Sequence, residues 1–244
     1  MPNRFLIVAL MLALLPIPAA AATDSPDPYQ ALIGVMDPPE RIEQTFAVSQ
    51  SQMKTALLKD ENIAALEKTC AGSTEAMLKG AAGLMREITE NDETEFRGKL
   101  ATLLRAKMSA GQAAEAAAFF SSKAGQKFIG KVVNSATYEN SYASAVKDAD
   151  SKIDRNAFDA DHKKIVADTV SRLEPDDKIA AMLIATSEWG QTLARLKPDI
   201  DELRFSIANA DVPPDQEAKL QAAMREALTA KLKECEAAET SRGG

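Results

Sequence analysis

Histidine and cysteine are nearly absent from this 244-residue chain, which has one of the former, His162, and two of the latter, Cys70 and Cys235. That scarcity excludes most catalytic triads, zinc fingers and multi-ligand transition-metal sites. Aromatics are also few, with 8 Phe, 3 Tyr and 1 Trp. Basic residues are outnumbered, 29 Lys and Arg against 36 Asp and Glu, for a net charge of −7. A nucleic-acid partner needs a concentrated basic surface, so the balance argues against one. No Gly-rich phosphate loop, nucleophile elbow or paired-Cys metal motif occurs, and no cofactor is implied. Past the first residues no apolar run approaches the roughly 20 residues that would span a bilayer.

What is present is alanine, 44 in all, in a chain that is 45% hydrophobic and 27% charged. Such a composition suits helices that pack closely through small side chains, and the expected class is all-α. At the amino terminus Arg4 precedes an apolar run from Phe5 to Leu15, then Pro16 and Pro18, then the small residues Ala20 to Ala22. The pattern reads as a signal peptide over residues 1–22, cleaved before Thr23, and places the chain in an oxidising compartment such as a Gram-negative periplasm. Cleavage there removes one basic side chain, Arg4, and no acidic one, so the mature chain is more acidic by a single charge.

Residues 23–39 carry Pro26, Pro28, Pro38 and Pro39 and read as an extended lead-in, while residues 239–244 read as a disordered tail. Between them, 40–238, apolar residues recur three and four apart and predict one bundle of eight or nine helices. Ser73 starts one helix to about Glu90; Phe96, Leu100, Leu103 and Leu104 mark the next. Ser109 and Gln112 form a capping-box pattern ahead of another. Phe128, Val132, Tyr138, Tyr142 and Val146 share a side, and Trp189, Leu193, Leu196, Ile200, Leu203 and Ile207 describe a long helix.

A constant shift along the chain lays Ser122, Gly125 and Gln126 over Ser187, Gly190 and Gln191, and Ser109 over Glu174 ahead of Pro175. Two helical hairpins, about 92–133 and 157–198, are therefore read as an internal repeat. In each Ser-x-x-Gly-Gln the serine caps a helix and the glycine lets the preceding helix cross closely, an αα corner. Phe119, Phe128, Trp189 and Leu193 line the expected seam between the hairpins and form the candidate groove. Trp189, standing where the first copy has Ala124, either fills core or edges a pocket mouth.

The segment Lys107-Met108-Ser109, with Phe119-Phe120-Ser121-Ser122-Lys123-Ala124-Gly125-Gln126-Lys127-Phe128, resembles the signature of the DUF2059 family, secreted bacterial helical proteins of unknown function. Lys123 stands where that family typically has proline, and the second copy has Ile184-Ala185 in place of the aromatic pair. The resemblance covers about residues 84–133 well and 150–198 weakly. It implies a periplasmic α-helical fold and carries no catalytic residues.

His162 lies in a charged stretch read as a solvated helix start. The run Asp148, Asp150, Asp154, Asp159, Asp161 fails as a calcium loop, because Lys152 and Ile153 fall where the loop needs a ligand and a glycine. Cys70 and Cys235 each end an apolar helix face, and both a disulfide between them and two separate buried thiols fit. Three function classes follow. The preferred one is a non-catalytic binding or assembly module that takes a protein segment or apolar ligand. The others are a structural or stress-related envelope protein and a carboxylate-based enzyme.

Overall fold

The computed structural model describes residues 27–38, 42–147 and 152–242, so the signal segment 1–22, Asp148 and Asp150 lie outside the described residues. Among these there are eleven helices and no strand. They are α1 (Pro28–Met36), α2 (Ile42–Leu57), α3 (Glu61–Thr69), α4 (Ser73–Lys107), α5 (Ala110–Ser121), α6 (Lys123–Val133), α7 (Glu139–Lys147), α8 (Arg155–Ser171), α9 (Pro175–Thr186), α10 (Glu188–Ala208) and α11 (Pro214–Arg242). The all-α class holds.

Four expectations of local structure are corrected. The lead-in is not extended from Asp27 onward, because Pro28 sits at the first helical position, where its missing N–H costs nothing, and Asp27 accepts the Tyr29 amide. The resulting α1 buries Leu32, Ile33 and Met36, and is part of the core. The helices expected at Ser73 and Phe96 are one 35-residue helix, since the charged stretch between them contains no breaker. The face from Phe128 to Val146 is broken after Val133, and α7 begins afresh at Glu139. The tail does not start at 239: the Ala- and Glu-rich backbone stays helical to Arg242.

α4 is the spine. Gly72 has a left-handed backbone (φ 84°) and offers no side chain to cap α4. Glu67 does it instead, accepting from the Gly72 amide (2.7 Å), the Thr74 amide (2.9 Å) and the Ser73 hydroxyl (3.0 Å). Those backbone donors, Thr74 first, hold its carboxyl down to about 2. α11 lies antiparallel along the first half of α4, Gly72 facing Lys231 and Gly80 facing Ala223 and Ala227. A Cβ on Gly80 would lie 2.4 Å from that of Ala227, so the close approach needs glycine. Cys70 and Cys235 form a disulfide (Cα–Cα 5.7 Å) that pins the far end of this pair. The bridge joins positions 165 apart in sequence, a loop for which the chain-entropy argument sets a ceiling of about 5 kcal/mol.

Candidate functional site

The second half of the molecule is organised by the same shift that carries Ser122 onto Ser187 in the sequence. α5 (110–121) and α9 (175–186) have identical length and start in register under it, and the starts of α6 (123) and α10 (188) coincide as well. Ser109 and Glu174 both head a capping box, with Gln112 and Asp177 at the third helical position. Ser122 and Ser187 both cap the following helix, accepting from Gly125 N (3.1 Å) and Gly190 N (3.0 Å). The corner glycines are sterically obligatory. A Cβ at Gly125 would lie 2.2 Å from the Phe119 carbonyl oxygen, and one at Gly190 would lie 1.8 Å from that of Ile184. The glutamines differ: buried Gln126 donates to the Phe120 carbonyl, whereas Gln191 is exposed.

The two hairpins face each other in an exchange-symmetric way. α5 packs on α10 and α6 on α9; likewise α4 packs on α10 and α8 on α6. Single contacts obey the exchange too. Lys127 of α6 reaches Asp177 of α9 (3.2 Å), and the equivalent positions, Thr192 and Gln112, are joined by a hydrogen bond of 3.4 Å. Lys127 and Lys131 together clip α6 to Glu174 and Asp177 at the start of α9.

The expected groove along this seam is closed. Phe128, Trp189 and Leu193 are buried, and of the four candidate residues only Phe119 is partly exposed. Trp189 fills core: its ring centroid lies 5.4 Å from both Phe119 and Phe120. The physical reason is packing. Where the first copy has Ala124 the second has an indole, and its ring lies against the Phe119–Phe120 pair instead of edging an opening.

Two acids of the run, Asp154 and Asp161, have structural roles. Asp154 caps α8 through the Ala157 amide, and fully buried Asp161 caps α7, accepting from the Asn140 and Ser141 amides and both their side chains. His162 is not at a solvated start. It packs against Phe158 (4.1 Å) with Asp201 at 3.8 Å, and burial pushes its imidazole pKa down. No cluster of three or more His, Cys, Asp or Glu suited to a metal occurs among the described residues.

Two features escaped the sequence. One is a buried charge cluster, where Asp37, just past α1, meets Arg97 (3.2 Å) and Glu93 of α4. Burial, then the side chain of Asp37, pushes the Glu93 carboxyl up to about 8. This cluster locks the end of α1 to α4. The other is a bare apolar face on α9, where Ile179 (53%), Met182 (47%) and Leu183 (53%) are the large hydrophobic side chains turned outward. With spacings of three and one they form a single ridge. The signal for it was present in the internal repeat, since the first copy has Ala114, Ala117 and Ala118 at these places. Compared with models of known protein families, with curated proteins and with solved structures, the chain gives no match.

Proposed function

We propose that this chain is an exported binding or assembly module that works by contact with another protein, through the outer face of α9 and not through the seam between the hairpins. The observation that carries the reading is the ridge of Ile179, Met182 and Leu183, half-exposed on a helix whose other side is firmly seated. Large apolar side chains gathered on one exposed face mark an interaction site more often than scattered ones do. The Cys70–Cys235 bridge fits an oxidising compartment, in keeping with the signal-like segment 1–22 and with the resemblance to the secreted DUF2059 proteins. The raised carboxyl of Glu93 is the feature an enzyme would use, but it is engaged with Asp37 and Arg97 in holding α1.

Site-specific photo-crosslinking in the exporting cell tests the reading. A crosslinker at position 182 should give a discrete protein adduct, one at exposed Val48 on α2 should not, and Leu183→Glu should abolish the adduct without lowering Tm. No adduct at position 182 would overturn it.

A further inference from the structure

α11 is held differently from the other long helices. α4 and α10 each bury a stripe of side chains, whereas in the 29 residues of α11 no described side chain is buried and none belongs to the core cluster. Leu220, Met224, Leu228 and Leu232 recur at every fourth position and are all half-buried. The extensive packing of α11 is on α4 alone. Its closest approach there sets Gly80 against Ala223 and Ala227, small groups with little apolar area to remove from water. Its two ends, by contrast, are fastened firmly. Before it, the Ile153 amide donates to Asn209 Oδ1 (2.7 Å), Asn209 Nδ2 donates to the Ile153 carbonyl (3.1 Å) and Lys152 Nζ donates to the Asn209 carbonyl (2.8 Å). Residues 211–213 are non-helical and lead into Pro214, so the helix starts from a fixed point through a short link. Near its other end stands Cys235, bonded to Cys70.

We infer that α11 is a redox-sensitive strap, hinged at residues 211–213 and buckled by the Cys70–Cys235 bridge, which a dithiol reductant opens. The two halves of the buckle differ. Cys70 is the fixed half, 2% exposed and next to the turn at Gly72–Thr74 that Glu67 holds; Cys235 rides on the strap and is partly exposed. A thiolate of the reductant attacks the Cys235 sulfur, the S–S bond breaks, and its electron pair leaves on Cys70, which takes a proton from water. The second thiolate of the reductant attacks the mixed disulfide, closing its own S–S bond and releasing Cys235 as a thiolate. Two electrons pass from the dithiol to the bridge, and the reverse exchange closes it. With the bond gone, α11 has its half-buried stripe alone to keep it on α4. Lifting it uncovers the α4 face that carries Met77, Gly80 and Leu84 at spacings of three and four. It also uncovers Cys70, since the Lys231 carbonyl oxygen of α11 lies 3.6 Å from the Cys70 sulfur. The strap lies on the first half of α4 and does not depend on the role of the α9 face.

The test starts from the full, folded, disulfide-bonded chain and adds dithiothreitol under native conditions, with amide hydrogen exchange read by mass spectrometry. The expected result is exchange about tenfold or more faster across α11, with α5, α6, α9 and α10 within about threefold of their oxidised rates, and full recovery of protection on reoxidation. A pulse of iodoacetamide on the reduced native chain should alkylate Cys70 within about threefold of its rate in urea, because the cover over its sulfur has left. The Cys70→Ser, Cys235→Ser double variant should match the reduced chain; if it does not fold, reduction of the prefolded chain still decides. A bridge that dithiothreitol leaves intact in the folded chain would overturn the inference. So would unchanged protection of α11 with an unreactive Cys70, which would mean that packing alone holds the helix. Equal acceleration in every helix would also overturn it, because the bridge would then support the whole fold and not one strap.

Discussion

The two hairpins, built on one plan, have been finished in opposite ways. The first has α1 of its own chain packed on α5, with Ala113, Ala117 and Phe120 buried; the second has Lys178 and Met182 exposed at the places of Ala113 and Ala117, beside exposed Ile179 and Leu183. Small residues invite a helix backbone to come close and stay, whereas large exposed ones leave a surface that gains when something else covers it. The contact between the hairpins shows the same divergence. Lys127 and Asp177 make an ion pair on one side of the exchange, and Thr192 and Gln112 a neutral hydrogen bond on the other. The backbone corners are held in common, while the outer faces differ in residue size and exposure.

The sharpest way to test this is to remove an apolar anchor from each copy. Leu32→Ala, at a fully buried position of α1, should cost about 3 kcal/mol in urea unfolding, as large-to-small core changes do. Met182→Ala on the bare face should stay within about 0.5 kcal/mol. Equal losses would show that Met182 is packed as firmly as Leu32.

The shared corners should break alike. Gly125→Leu and Gly190→Leu each drive a side chain into the preceding helix's carbonyl and should each cost about 1–3 kcal/mol, with Gly190 the worse because its Cβ would come closer, 1.8 Å against 2.2 Å. A tolerant glycine in either copy, judged by Tm, would end the argument that one corner is used twice. Ser122→Ala and Ser187→Ala probe the same turn more gently, at about 1 kcal/mol each through the lost caps.

The smallest difference is in pH response, and it belongs to the first copy only. Glu93 keeps its proton in the folded chain up to about 8, while in the unfolded chain it ionises near its ordinary 4.5. Between those values the folded state binds more protons, so this group's contribution makes stability fall as pH rises from about 4.5 to 8, then level off. Glu93→Gln should remove that slope from urea midpoints measured across the range, and hydrogen exchange should place the effect in α1. Glu67 works in the other direction and in the α4–α11 arm: its carboxyl, held near 2, stabilises above 4.5 and loses that contribution as pH falls towards 2, a limb that Glu67→Gln should erase.

Periodicity made the helices legible wherever a face was continuous, as in α10, where Trp189 to Ile207 describes the helix across Pro198, an exposed position that does not end it. The Ser-x-x-Gly-Gln corners were legible because capping and steric need are local. What misled was local chemistry read without its neighbours. Four prolines between residues 26 and 39 suggested an extended lead-in, but Pro28 starts a helix as well as it breaks one. Aromatics at a seam suggested a groove, but whether Trp189 fills or edges a space depends on the volumes of Phe119 and Phe120 across from it.

The amino-acid sequence by itself determined the helical class, the regular spacing of the two corners and the positions of their caps and glycines, because these depend on residues within a turn or two of one another. Whether Cys70 and Cys235 meet, where α1 lands, which acid is buried beside Asp37 and which of two equivalent helix faces stays bare were decided only in the tertiary structure. Each is a contact between residues dozens to more than a hundred positions apart, and no local pattern records which surface packing will cover.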